Sequence, residues 1–387
     1  MNRLILPILI FSASLCADSL EALIRQAYRA DPTLAMLHEE AAVMQEEVGL
    51  SGIWENPMLK AGLTDLRLDA PVKRSLEPMQ TQFVAISQKI PLSDKFALSK
   101  EIAAVKAEQT ALKTEVQKRK IASRIAAYAY AIGVIGERLK LLGQNRANLR
   151  QIRDLMKGYQ ASEDLILETG QSLLLLQTRA EALKSKRDAL LAQIERYTLH
   201  EVSKIDIDLT PEPHDIGYDK NHPMLKLYRE DIAIAAKKID LARAKERPDL
   251  TVGAGYYQRV NREDYLSVTV AFPLQVWGRE KLRTQKAKRY LSYQKARLAE
   301  IENRFASTVK VLGITMRQHA RNYRLYQKRI VPLQKRISRY LKAKNRSGTL
   351  DLSRLIESYN GVISLQERAL DELSGYFQNY AKLRYYL

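Results

Sequence analysis

The chain has 387 residues, a net charge of +19, 28% charged residues, a single cysteine and only 16 glycines. One thiol excludes both a disulfide framework and a cysteine-held metal cluster. Long stretches of Ala, Leu, Lys, Arg, Glu and Gln favour extended helices and coiled coils over a compact globule.

Residues 1–17 read as a signal peptide. Asn2-Arg3 gives a positive start, Leu4 to Phe11 an apolar run, and Ser12 to Ala17 a small-residue region suited to cleavage after Ala17. The rival reading acylates Cys16, but that motif wants a small residue where Leu15 stands. The apolar run is too short for an anchor helix. No later stretch offers the roughly 18 apolar residues that a spanning helix requires.

The remaining chain repeats itself. Pro32 and Pro223 are 191 residues apart, and so are Pro57 and Pro248. Repetition at a fixed offset decides architecture before any local reading. The spacing predicts a first helix over 18–56, a β-hairpin over 57–91 and a helical hairpin over 92–205. A linker over 206–221 leads to the second copy: a helix over 222–247, a hairpin over 248–273 and a helical hairpin over 274–387.

The hairpins rest on period-two alternation. Leu250, Val252, Ala254 and Tyr256 share one face, against Thr251, Gly253, Gly255 and Tyr257. Leu266, Val268, Val270 and Phe272 alternate likewise, and Leu59, Ala61 and Leu63 do so in the first copy. Each strand approaches the nine to eleven residues that cross an outer membrane at a tilt. Four strands cannot close a barrel, whose lower limit is about eight, and open edges are not tolerated in lipid. Several chains must therefore pool their strands, unless the hairpins simply pack on a soluble core.

In the helical regions, a break is expected between Lys157 and Gly170 and another over Asn345 to Gly348. A heptad seam runs through Val309, Met316, Tyr323, Ile330 and Ile337, with a second line through Leu312, His319, Tyr326, Leu333 and Tyr340. Pro332 should kink this stretch locally. Residues 274–350 hold 21 Lys or Arg and three acids. Lys310, Arg317 and Arg324 form one seven-spaced basic line, and Arg321, Lys328, Lys335 and Lys342 another. Both lines share a face away from the seam. A solvated coiled-coil exterior fits this face; so does a positive conduit wall or a dock for an acidic partner. Nucleic acid is not expected, because the tyrosines lie on the seam rather than beside the charge.

These pieces resemble the TolC-type outer membrane factor family of Gram-negative bacteria. The resemblance is carried by the duplicated halves, Asn56-Pro57-Met58-Leu59-Lys60-Ala61-Gly62-Leu63, Gln88-Lys89-Ile90-Pro91-Leu92-Ser93-Asp94-Lys95, Arg247-Pro248-Asp249-Leu250 and Val270-Ala271-Phe272-Pro273-Leu274. It implies a mainly α fold with a small β part. Three chains would form one 12-stranded barrel in the bacterial outer membrane, with an α-helical tunnel in the periplasm. It further implies an exit duct of a tripartite efflux pump, working with a periplasmic adaptor and an inner-membrane transporter, of resistance-nodulation-division type for choice. The Gln-Lys-Ile-Pro-Leu element is similar to the heavy-metal, cobalt–zinc–cadmium branch. Alternatives are a periplasmic coiled-coil scaffold or adaptor, and the duct of a type I secretion system.

The same resemblance places the periplasmic aperture at Gly348, Asp351, Arg354 and Glu357, and adaptor-docking turns at Gly158, Gly170, Gly348 and Thr349. Family members carry acids at the positions of Arg354 and Glu357, so Arg354 departs from an acidic ring, and an Arg354–Glu357 pair across one turn is the plain alternative.

Catalysis finds no support in the sequence. The histidines (His38, His200, His214, His222 and His319) lie on separate elements without metal-ligand spacing, and no phosphate loop or nucleophile elbow occurs. No cofactor, no metal and no enzymatic activity are expected. His222 matches Asp31 of the first copy, just before a proline, which suggests a place at a helix start.

Overall fold

The structure is a computed structural model that describes residues 18–70, 73, 75–158, 163–212, 216–344 and 352–387. The expected leader, His214, Gly348, Thr349 and Asp351 lie outside those residues. In chain order the elements are β1 (Asp18–Ser19), α1 (Leu20–Ala30), α2 (Pro32–Ser51), β2 (Met58–Thr64), β3 (Thr81–Ile90), α3 (Lys95–Gly158) and α4 (Glu163–Thr198). Next come β4 (Ile205–Asp206), α5 (Pro223–Ala244), β5 (Leu250–Arg259), β6 (Tyr265–Ala271), α6 (Arg279–Leu325), a π-helical turn (Tyr326–Ile330), α7 (Val331–Lys344) and α8 (Leu352–Leu383). The chain divides into two compact units. One holds Met1–Ala35, Val116–His222 and Arg304–Leu387; the other holds Met36–Glu115 and Pro223–Asn303.

The first unit is helical. Ser19 caps α1 by accepting from the Ala22 amide at 3.3 Å, and Leu20, Leu23, Ile24 and Ala27 form its buried stripe. Asp31 closes that helix and starts the next, its Oδ1 accepting from the Thr33 amide at 2.8 Å. In the α3–α4 hairpin, Leu142, Leu149 and Met156 recur every seventh residue and pack against Leu173 and Leu176. This repeat keeps the seam facing its partner helix along the hairpin. On α8, Leu373, Tyr376, Phe377 and Ala381 are buried, and Phe377 stacks on Tyr130 of α3 at 4.4 Å.

The heptad seam of α6 holds only part-way. Val309, Leu312 and Met316 are buried, whereas Ile337 is 43% and Tyr340 68% exposed. The π-helical turn explains the loss. There the Val331 amide bonds to the Tyr326 carbonyl, five residues back. One extra residue enters the turn, so the core face passes from the Ile330/Ile337 line to Val331 and Ser338, which are buried. Pro332 sits just beyond; it lacks an amide hydrogen and crowds the carbonyl four residues before it, a strain that the wider turn relieves.

The break expected between Lys157 and Gly170 falls within those bounds but is shorter than they allow, α3 ending at Gly158. Gly170 lies inside α4, which starts at Glu163. Glu163 and Asp164 favour that earlier start by complementing the helix N-terminus, and a single interior glycine costs only about 1 kcal/mol.

The second unit carries a four-stranded antiparallel sheet in the order β2-β3-β5-β6. The two hairpins pair through β3 and β5 over ten residue pairs, from Thr81↔Arg259 to Ile90↔Leu250. Strands β2 and β6 are therefore its edges. Positive φ angles at Asp65 and Asn261 turn the chain at the loop end, where a short polar side chain tolerates that conformation.

Candidate functional site: a two-faced sheet and a basic helix

Cross-strand register assigns every side chain of the sheet to a face. Ala61 pairs with Val84, Val84 with Tyr256 and Tyr256 with Leu266, so these four lie on one side. Leu59, Leu63, Ile86, Val252, Ala254, Val268 and Val270 share it by alternation. Apart from Gln82 and Gln258 at the loop end and Gln88 at the other, this face is apolar and bare: Leu59 is 70%, Leu266 77% and Val268 74% exposed. The opposite face holds Lys60, Thr64, Thr81, Ser87, Lys89, Thr251, Ser267 and Thr269. Leaving a contiguous apolar face in water is costly, about 1.5–3 kcal/mol per large side chain relative to burial. An aqueous environment therefore suits one side of this sheet, and an apolar one the other.

Two motifs that looked unrelated in sequence meet below the sheet. Lys95, the first residue of α3, pairs with Asp249, which immediately precedes β5, and Lys89 lies 3.5 Å from the same carboxylate. Lys89 also pairs with Glu55 at 3.0 Å, and the Gln88 side-chain amide donates to the Glu55 carbonyl at 3.0 Å. This clasp joins the chain before β2, the end of β3 and the start of β5. Its signal was present in Gln-Lys-Ile-Pro and Arg-Pro-Asp-Leu, but only the pairing of β3 with β5 brings them together.

The first unit shows a second arrangement that sequence reasoning missed. Residues 206–212, and Ile216 beyond them, lie against the helices as a strap. Ile207 and Leu209 lie over Gly133 of α3, Ile216 lies over Gly313 of α6, and the Tyr376 hydroxyl of α8 donates to the Glu212 carbonyl at 2.5 Å. Each glycine is a hole that its knob fills. Burial pushes the Tyr376 hydroxyl up to about 12.

Beside the strap lies the basic face. Lys310, Arg317, Arg321, Arg324, Lys328, Lys335 and Lys342 are all exposed. Among the described residues none of the seven joins a salt bridge, although Arg119–Asp219, Arg138–Asp371 and Arg384–Glu21 pair elsewhere in this unit. Arg317, Arg321 and Arg324 line a pocket of about 260 Å³ with Glu212, Ile216, Met316, Ala320 and Tyr376. His319, expected on the seam, bonds through Nδ1 to Glu372 at 2.6 Å, and Asn322 donates to the same carboxylate at 3.1 Å.

Of the residues expected at an aperture, Arg354 and Glu357 are exposed on α8, and Gly158 is the last residue of α3. Among the described residues no group of three or more His, Cys, Asp or Glu could hold a metal ion. No described helix is long and apolar enough to cross a membrane.

No protein-family model and no curated protein matches the chain by sequence. Solved structures do match it along nearly its whole length. The open-state MtrE outer membrane channel of Neisseria gonorrhoeae superposes with a TM-score of 0.77 at 13% identity, covering 95% of this chain and 88% of that one. The CmeC outer membrane channel of Campylobacter jejuni gives 0.75 at 12% identity, over 95% and 85%. The outer membrane protein VceC of Vibrio cholerae gives 0.73 at 13% identity, over 94% of each. The chain has the fold of the TolC-type outer membrane channels, mostly helical with a small sheet.

Proposed function

We propose that this chain, built on the outer membrane channel fold, is the outer-membrane exit duct of an efflux pump. The observation that carries the reading is the sheet: four strands, two unpartnered edges, one bare apolar face and one polar face. Lipid tolerates no open strand edge, so copies of the chain must supply the missing partners. Three copies give twelve strands, above the barrel minimum of about eight. The apolar face then meets lipid and the polar face lines a water-filled bore.

The helices continue as the periplasmic part of the duct, its far end docked to an adaptor that leads to an inner-membrane transporter. The sequence carries no phosphate-binding loop, so the energy for transport is assigned to that transporter. A coiled-coil scaffold or adaptor would have no use for side chains such as Leu266 and Val268 standing bare on a sheet. The test is membrane fractionation followed by gel migration with and without boiling. A heat-sensitive trimer band in the outer-membrane fraction supports the duct; recovery as a soluble periplasmic monomer refutes it.

A further inference from the structure

The polar face of the sheet carries one row that is not polar. Gly62, Phe83, Tyr257 and Tyr265 are direct cross-strand partners across β2, β3, β5 and β6. Phe83 stacks on Tyr257 at 5.3 Å and 22°, and Tyr257 on Tyr265 at 4.9 Å and 5°. Arg259 closes the row, its guanidinium 5.1 Å from the Tyr265 ring and donating to the Glu263 carbonyl. The row lies at the loop end of the sheet, away from the helices.

Two glycines seat these rings. A Cβ on Gly62 would stand 3.0 Å from Cε1 of Phe83, and one on Gly255 would stand 2.9 Å from both Cε2 of Tyr257 and Cβ of Ala85. Gly255 precedes Tyr257 by two residues on the same strand and face. Tyr257 therefore leans back along the wall into the space of the absent side chain, and Phe83 leans sideways over Gly62. Glycine otherwise weakens a strand, so its use here marks a close approach.

We propose that Phe83, Tyr257 and Tyr265 form an aromatic band around the inside of the duct at its outer end, and that Gly62 and Gly255 set its bore by letting the rings lie against the wall. The band would limit the size of cargo that leaves. This rests on the duct reading, since only that reading places the polar face around a lumen. Cross-strand stacking alone would stabilise the sheet without any effect on passage.

The test uses Thr269→Cys, which lies on the same face deeper than the band, in intact cells exposed to maleimide reagents of increasing size. The band predicts a size limit for labelling. Tyr257→Ala and Phe83→Ala should raise that limit, and Gly255→Val should lower it by forcing the Tyr257 ring off the wall. Adding Tyr257→Ala to Gly255→Val should restore access. If Gly255→Val fails to assemble, the two alanine variants still decide. A limit unchanged in both overturns the band and leaves the duct standing. Failure of the smallest reagent to reach Thr269→Cys in assembled trimers overturns the duct reading itself.

Discussion

His222 Nε2 lies 2.7 Å from the backbone carbonyl of Tyr385, tying the start of the second repeat to the C-terminal end of the chain. The imidazole is fully buried, edge-on to Phe305 at 5.1 Å and to Tyr385 at 4.9 Å. It occupies the position of Asp31 but does a different job. Asp31 caps its own helix, whereas the turn before α5 is closed by Asp219, whose backbone and side-chain oxygens accept from the His222 and Asn221 amides. His222 is thus freed to act as a packing anchor.

Burial, aided by the nearby Arg119 charge, holds the His222 pKa below its ordinary 6.5, against the opposing pulls of the Tyr385 carbonyl and Asp219. The unfolded chain therefore takes up a proton at a higher pH than the folded one does. Stability from this group is complete above pH 6.5 and is lost as pH falls from there through the depressed folded value. A thermal melt of the solubilised protein should show this fall. His222→Gln keeps a donor toward the Tyr385 carbonyl and cannot titrate, so the difference between the two proteins should shrink as pH drops below 6.5. Parallel pH profiles would show that His222 contributes nothing to acid sensitivity.

Asp249 faces two lysines in a largely covered setting, with Lys95 15% and Asp249 14% exposed. Asp249→Ala leaves Lys95 without its carboxylate and should cost about 3 kcal/mol, since losing one partner strands the other. Chemical denaturation of Asp249→Ala, Lys95→Met and the double variant gives the coupling. The double variant should be less damaged than the two single losses added together; strict additivity would mean that the pair is not coupled.

Much of this was legible beforehand. The offset repeats located both hairpins because a two-residue period survives wherever one face of a strand is bare. The seam through Val309 and Met316 was legible for the same kind of reason, but its continuation through Ile337 was not. A π-helical turn leaves no periodic trace of its own until the register has slipped; Pro332 was the only hint. The glycine seats under Phe83, Tyr257 and Ile216 escaped notice because each depends on a neighbour brought in by tertiary pairing. Lys89, Lys95 and Asp249 were conspicuous in their motifs, yet 154 positions separate Lys95 from Asp249.

If the chain is a duct, the strap sets which way the arginines point. A conducting duct cannot carry the strap across its bore, so on the duct reading the helix faces beneath it would belong to the outer wall. Arg317, Arg321 and Arg324 share a pocket with Glu212 and Ile216 of that strap. On the duct reading they would face the periplasm, which disfavours a conduit-wall role for this basic stretch. Reversing charge with Arg321→Glu should leave the ion selectivity of bilayer-inserted trimers unchanged. A clear shift toward cations would place the basic face in the lumen instead.

Gly313 offers a sharper probe of the strap. A methyl there would run into the Ile216 side chain, so Gly313→Val overfills the hole and should cost about 1–3 kcal/mol. Ile216→Ala in the same background removes the collision and should recover part of the loss. Melting temperatures of the three proteins decide this, and no recovery in the double variant would mean that the strap does not rest on Gly313.

The strongest contrast lies between neighbouring residues of β6. Val268 stands on the apolar face, paired with Ala254, and Thr269 stands on the polar face, paired with Gly253. If the first face meets lipid, Val268→Arg places a cation in hydrocarbon at a cost of about 2–4 kcal/mol near the midplane. Thr269→Lys points its charge into water and should be tolerated. Both variants introduce a long cation, one residue apart on one strand and on opposite sides of the pleat. Outer-membrane trimer yield should fall for Val268→Arg and hold for Thr269→Lys. Equal yields would mean that neither side of the sheet is covered by lipid, and the reverse order would exchange lumen and membrane.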